Sequence, residues 1–188
     1  MRNLFKLEPQ KTALLVIDMQ KYFVDKSSHA YVPSINKLMP KIKKLIDVFN
    51  KNVRPIIFTR HIDTEESMMR RWWQDNIKED DPMSEIAHDL EANRGEVIIK
   101  HQYDAFLDTN LEKILEDKGI EQVVICGVLT NLCCETTARS AFMRGFEVYF
   151  VTDGTATYKQ KMHDASLLNL SYGFAILLTV DTVIKLLS

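Results

Sequence analysis

Val123-Val124-Ile125-Cys126-Gly127-Val128-Leu129-Thr130-Asn131-Leu132-Cys133-Cys134-Glu135-Thr136-Thr137-Ala138 is the stretch whose reading decides the fold. A β-branched apolar run closes on Gly127, a short turn follows, and a helical pattern takes over: strand, turn, helix. Two cysteines fall in the first helical turn. A thiol there sits near the positive end of the helix dipole, beside backbone N–H groups without intrahelical partners, and both effects favour thiolate. The competing reading makes both cysteines small buried apolar side chains. Helical periodicity separates the two. From Cys134 one face carries Ala138, Ala141, Phe142 and Gly145, a small and apolar stripe suited to packing on a sheet; from Cys133 the matching face carries Thr136, Thr137 and Ser140. Cys134 is therefore expected in the core, and Cys133 is the candidate nucleophile.

The same alternation extends outward in both directions. Upstream, residues 12–19 form a nearly continuous apolar run ending at Asp18, as in strands buried on both faces. Residues 20–33 read as a loop, and Ile35, Leu38, Ile42, Leu45, Ile46 and Phe49 recur at helical spacing to about Asn50. A second strand is expected over 54–61. A charged connection over 62–81 holds Trp72 and Trp73 and is long enough to carry function. A short helix over 84–90 and a third strand over 95–100 follow. The helix over 108–119 is capped by Asp108 or Thr109 and ended by Gly119. Downstream, the Cys133 helix closes near Gly145, strand five spans 146–153 with a turn at Gly154, a helix spans 161–173, strand six 174–179, and a closing helix 181–187. This pattern predicts an α/β fold: one domain over 1–188, three layers α-β-α around a six-stranded parallel sheet.

Composition narrows the function classes. The chain has 188 residues, enough for a sizeable core without staples, and a formal net charge of −2 with charges scattered rather than blocked, which offers nothing to nucleic acid. No apolar run reaches the length of a membrane span, and residues 1–11 lack the apolar centre of a secretion signal. Three cysteines, two of them adjacent, make a poor disulfide framework, so a cytoplasmic location is expected.

In open parallel sheets, ligands bind outside the carboxyl ends of the strands. Asp18 closes strand one, Lys100 closes strand three, and Cys133 lies just past strand four, so an acid, an amine and a thiol share one edge. A thiol nucleophile needs a base or a field to lose its proton. The five histidines, His29, His61, His88, His101 and His163, are spread over loops and helices, and none is placed for this by sequence. Asp18 can accept the thiol proton while Lys100 holds it in place; the protonated acid can then pass the proton to a leaving nitrogen. Cys133 would attack a carbonyl, its oxyanion held by N–H groups at the helix start, and water would cleave the thioester. This chemistry suits an amide or ureido C–N bond.

Three motifs carry a resemblance over about residues 11–180: Leu14-Leu15-Val16-Ile17-Asp18-Met19-Gln20; Lys100 followed by Ala105-Phe106 and Thr109-x-Leu111; and Gly127-Val128-x-Thr130-Asn131-x-Cys133, extended by Thr137-Ala138-Arg139-x-Ala141. The chain resembles the isochorismatase-like cysteine hydrolases. The resemblance implies Asp18, Lys100 and Cys133 as catalytic triad, a non-proline cis peptide at Val128–Leu129, and an oxyanion hole from the N–H groups of Leu129 and Cys133. It also implies a homo-oligomer, a dimer or tetramer, with no cofactor. Departures are informative. Members that cleave isochorismate lack this cysteine. Metal-containing nicotinamidases carry Asp-x-His plus a further His after strand two, whereas here stands Thr59-Arg60-His61-Ile62-Asp63, so no metal is expected. Asp104 stands where a Ser is common. The Thr130–Arg139 run is most similar to N-carbamoylsarcosine amidases and ureidoacrylate or biuret hydrolases. Phe23, His61, Trp72, Trp73, Tyr103 and Asn131 are the candidate substrate contacts. The leading expectation is a cysteine amidohydrolase of a small amide, carbamoyl or ureido compound. Nicotinamidase or isochorismatase activity, or a non-catalytic thiol redox or ligand-binding module, are its alternatives.

Overall fold

Strands that bury both faces belong at the centre of a sheet, and the two most apolar runs are found there. In the computed structural model, which describes residues 6–188, every residue of β1 (Thr12–Ile17) and β4 (Gln122–Val128) is buried. They pair in parallel, from Thr12 opposite Gln122 to Ile17 opposite Gly127. β2 (Ile56–His61) and β3 (Glu96–Lys100) extend the sheet on one side, and β5 (Glu147–Ala156) and β6 (Ile176–Leu178) on the other. The order is β3-β2-β1-β4-β5-β6, all parallel. The chain thus winds outward from β1, returns beside it as β4 and winds out the other way. Connections diverge where β1 meets β4, and a crevice opens at their carboxyl ends.

Two apolar clusters, one on each face, make the outer layers. α2 (Ile35–Lys51) and α7 (Val180–Leu187) pack with Leu14, Val16, Phe58 and Val124. α4 (Leu111–Asp117), α5 (Glu135–Met143) and α6 (Gln160–Gly173) pack with Leu15, Ile17, Ile57 and Ile125. The alternation along β1, Leu14 and Val16 to one side and Leu15 and Ile17 to the other, is the two-residue period of a strand with helices on both faces. Gly127 fixes how closely β1 and β4 approach. Its φ is 121°, and a Cβ there would lie 2.1 Å from the Ile17 carbonyl oxygen, so only glycine fits.

Several local expectations are corrected. Segment 20–33 contains a short helix, α1 (Lys21–Val24), and the connection 62–81 contains α3 (Met68–Trp73), capped by Ser67 Oγ accepting from Arg70 N–H. The segment 84–90 is not one helix but 3-10 turns at Pro82–Ser84 and His88–Leu90, since the extended Glu85 interrupts it. β5 does not stop at Asp153. It continues through Gly154 to Ala156 because an irregularity sets four residues of β5 (Val151 to Gly154) against one of β4 (Cys126), and Gly154 has no Cβ to meet Val151 at 2.7 Å. The helix over 108–119 shortens to Leu111–Asp117, with Thr109 Oγ1 accepting the Leu111 N–H and Gly119, at φ 65°, following its end. Among the described residues no helix is long and apolar enough to cross a membrane.

Candidate active site

Asp18 is the first residue past β1, where the chain leaves the sheet in a left-handed conformation (φ 47°). Thr59 of β2 holds it twice: the Asp18 N–H donates to Thr59 Oγ1 (2.9 Å), and that hydroxyl donates to Asp18 Oδ1 (2.5 Å). Lys100, the last residue of β3, reaches past β2 with no solvent exposure at all. Its ammonium group has three neighbours: Asp18 Oδ2 at 2.8 Å, the Gln102 carbonyl at 2.7 Å and Cys133 Sγ at 3.6 Å. The ammonium donates to the Gln102 carbonyl and to Cys133 Sγ. The approach to Oδ2 is an ion pair outside hydrogen-bond geometry, which leaves that oxygen with acceptor capacity.

Cys133 does not lie in the first turn of a regular α-helix. Thr130–Cys134 forms a π-helical turn, closed by Cys134 N–H donating to the Leu129 carbonyl, and α5 starts after it. Such turns hold one residue more than an α-helical turn and re-aim side chains, often at functional sites. Here Cys133 borders the crevice at 7% exposure, and Cys134 is fully buried against the sheet with Ala138 and Ala141. Phe142 departs from that stripe: it is half exposed, edge-on to Phe174. The polar face is buried too. Thr137 Oγ1 accepts the Ala105 N–H (3.1 Å), and Ser140 Oγ donates to Asp104 Oδ2 (2.6 Å), tying α5 to the loop that follows Lys100. Asp104 also accepts the Phe106 N–H. The Val128–Leu129 peptide is cis.

Burial acts on all three side chains, with different net results. For Asp18, burial raises the pKa, but Lys100, then His61, then hydrogen bonds from Cys133 and Lys100 outweigh it, and the carboxyl stays below its ordinary value. For Lys100, burial favours the neutral amine, but Asp18 and Cys133 more than offset it, and the pKa is raised. For Cys133, burial dominates, Lys100 opposes it and Asp18 reinforces it, so the thiol is pushed far above its ordinary value. The resting site therefore holds a carboxylate, an ammonium and a thiol. Burial at this turn thus opposes the thiolate that a helix terminus favours.

A cavity of about 320 Å³ opens over Cys133. Of the residues singled out in the sequence, Asp18, Phe23, His61, Trp73, Tyr103 and Leu129 line it together with Cys133. Lys100 lies beneath it. Trp72 and Asn131 do not border it. Trp72 shares Trp73's helix but points about 100° away from it, 69% exposed. Asn131 is held on the other side of the π turn, accepting from Thr157 Oγ1 at 2.6 Å. The residues missed from sequence include Tyr22, His29, Asp63 and Asp75. Tyr22 OH and His29 Nε2 both contact Asp75, the latter at 2.7 Å, which joins the segment after α1 to the segment after α3. Only adjacency to Asp18 and His61 could have flagged Tyr22 and Asp63; the partnership with Asp75 spans more than 40 residues. Trp73 Nε1 donates to Tyr103 OH at 2.8 Å. Among the described residues no three of His, Cys, Asp and Glu are grouped to hold a metal ion, and the His61 ring is engaged by the Asp63 carboxylate instead.

A family model described as Isochorismatase domain matches residues 12–182. Nicotinamidase 3 of Arabidopsis thaliana is 40% identical over 176 residues, covering 90% of this chain and 85% of its own length. A crystal structure of a cysteine hydrolase from Pseudomonas syringae pv. phaseolicola 1448A superposes with a TM-score of 0.93 at 26% identity, covering 97% of this chain and 95% of that one. N-carbamoylsarcosine amidase from Thermoplasma acidophilum superposes with a TM-score of 0.82, also at 26% identity, covering 91% of this chain and 97% of that one.

Proposed function

The chain belongs to the isochorismatase family, and we propose that it is a hydrolase that cleaves the C–N bond of a small amide through a thioester on Cys133. The observation that carries this reading is the buried Asp18–Lys100–Cys133 cluster at the floor of an open cavity. A thiol with a raised pKa must lose its proton as it attacks, and Asp18 is an ionised carboxylate beside it. Attack on the carbonyl carbon forms the C–S bond while Asp18 takes the thiol proton. The tetrahedral oxyanion is met by the backbone N–H groups of Leu129 and Cys133; the Leu129 N–H has no other acceptor among the described residues. Collapse breaks the C–N bond, and the proton on Asp18 goes to the departing nitrogen, which leaves as ammonia or amine. Asp18, again a carboxylate, takes a proton from water, and hydroxide addition releases the acid and restores the thiol. Lys100 keeps its charge throughout, fixing the acid and lowering the cost of negative charge on sulfur.

A second reading, hydrolysis of an aromatic carboxamide such as nicotinamide, draws support from the Arabidopsis relative and from the aromatic walls Phe23, Trp73 and Tyr103. Ammonia release from nicotinamide, biuret, N-carbamoylsarcosine and ureidoacrylate, run with wild type and Cys133→Ala, tests both. Turnover that disappears in the variant supports the thioester route and identifies the amide class. Turnover that persists in Cys133→Ala excludes it.

A further inference from the structure

The π turn that carries Cys133 is held by side chains that do not border the cavity. Its first residue, Thr130, is wholly buried, and the Thr130 hydroxyl has one partner among the described residues, His163 Nδ1 at 2.9 Å. The next residue, Asn131, accepts from Thr157 Oγ1 at 2.6 Å. Just past the turn, Glu135 opens α5 and accepts from Ser166 Oγ at 2.5 Å. Thr130 stands three residues before Cys133 and Glu135 two after it, so ties at both bracket the thiol. None of His163, Thr157 and Ser166 lines the cavity over Cys133.

Two of these ties come from α6. Along that helix His163, Ser166 and Leu170 fall at i, i+3 and i+7 and share a face. Ser166 and Leu170 are buried, so the face is packed on the interior and carries the His163 ring to Thr130. On the sheet side the turn is tied through a single acceptor, the Leu129 carbonyl, which takes the N–H groups of both Leu132 and Cys134. A hydroxyl buried without a partner is costly, so a turn deprived of the His163 ring must shift until Thr130 finds another. Cys133 and the N–H groups beside it shift with the turn.

We propose that His163 is a positioning residue: its hydrogen bond to Thr130 sets the π turn so that the Cys133 thiol and the N–H groups of Leu129 and Cys133 meet the same carbonyl. The inference rests on the thioester reading for the reaction, and on the contacts of α6 for the positioning. His163 lies outside the cavity, so its effect falls on the chemical step and not on the binding of the amide.

The experiment compares wild type with His163→Leu, His163→Asn, Thr130→Val and the Thr130→Val/His163→Leu double variant. Ammonia release is followed at steady state on whichever of nicotinamide, biuret, N-carbamoylsarcosine and ureidoacrylate wild type hydrolyses fastest. Iodoacetamide labelling of Cys133 is measured in the same proteins. In His163→Leu, kcat should fall at least about tenfold with KM nearly unchanged, since small displacements at reacting groups act on the chemical step. Cys133 should label faster, because burial is what raises its pKa and a shifted turn opens it to water. His163→Asn, whose side-chain amide can stand near the place of Nδ1, should recover part of kcat. Thr130→Val removes the stranded hydroxyl, so the double variant should lose no more activity than His163→Leu alone. Leu170→Val is the control for a weakened α6: it takes bulk from the same buried face and should lower stability with kcat and labelling unchanged. An unchanged kcat in His163→Leu, losses that multiply in the double variant, no recovery in His163→Asn, or an equal loss in Leu170→Val would overturn the proposal. No ammonia from any of the four amides in wild type counts against the amidohydrolase reading alone. The labelling rates then decide the positioning: faster labelling in His163→Leu supports it, and equal rates overturn it.

Discussion

Lys100 Nζ lies 2.8 Å from Asp18 Oδ2, both side chains wholly buried, although they come from strands that are not neighbours in the sheet. Strand β2 separates them, and Thr59 on that strand holds the other oxygen of Asp18. An ion pair so enclosed gives little net stability, because desolvating two charges offsets their attraction; breaking it, however, strands one charge in the interior. Lys100→Met is therefore expected to destabilise the fold by about 3–5 kcal/mol. Joint replacement with Asp18→Asn should recover most of that. Urea denaturation of the three proteins checks this, and ammonia release should be lost in all the substituted proteins, whatever their stability.

The same pair sets a pH profile for stability. Asp18 is held below its ordinary carboxyl value of 3.8, so its contribution is fully present above that pH and is lost as pH falls from there through the folded-state value. Lys100 is held above its ordinary 10.5, so its contribution is fully present below that pH and is lost as pH rises through the folded-state value. Between these limits the pair should add no pH dependence. Denaturation midpoints measured from pH 3 to pH 11, on wild type and on the Asp18→Asn/Lys100→Met double variant, should differ in slope only at the two ends. A difference in slope around pH 7 would mean that one member of the pair is neutral in the fold.

The three central side chains were legible in the sequence for a topological reason. Parallel strands expose all their carboxyl ends on one edge, and Asp18, Lys100 and Cys133 each stand at or just past such an end. The helical face that separated Cys134 from Cys133 was also legible, because Ala138 and Ala141 repeat at the spacing of a buried stripe. The π turn that carries Cys133 was not, since one extra residue in a turn leaves no mark in periodicity. Nor was the state of the thiol. Its proton affinity is set by burial, which depends on residues far away in the chain, such as Tyr103 and Leu129 around the cavity, rather than on the local helix start. The place of Asp75 at the cavity was hidden for the same reason: it joins His29 and Tyr22 only once two long loops fold together.

The buried thiol leads to a counterintuitive expectation. Asp18 raises the Cys133 pKa and Lys100 lowers it. Asp18→Asn should therefore speed alkylation of Cys133 by iodoacetamide at pH 8, by making the thiolate more accessible, while amide hydrolysis falls. Lys100→Met should slow alkylation. In wild type the rate should keep rising beyond pH 9, and Cys126 and Cys134, with no exposed surface, should stay unmodified in the folded protein. Mass spectrometry of labelled peptides reads all three positions. Slower labelling in Asp18→Asn would show that the carboxylate draws the proton off sulfur even at rest.

Gly127 links the packing of the sheet to the placement of the acid. Its φ of 121° disfavours any side chain, and a Cβ would meet the Ile17 carbonyl oxygen at 2.1 Å and its nitrogen at 2.7 Å. Ile17 is the residue before Asp18, so an added methyl group must push β1 away where it delivers the Asp18 carboxylate. Gly127→Ala is expected to cost at least about 2 kcal/mol of stability, from strain and overpacking together. It should also lower kcat/KM by about 100-fold or more, as displacements of an ångström at reacting groups do. Gly119→Ala is the matching control. Its φ of 65° is also left-handed, but no atom lies within 4 Å of the added Cβ, and it follows α4 far from the acid. That variant should lose about 1 kcal/mol and keep full activity. Urea titration and steady-state kinetics on both variants separate the two effects. Equal loss of activity in Gly119→Ala would mean that reduced stability alone, rather than the approach of β4 to Ile17, accounts for the defect in Gly127→Ala.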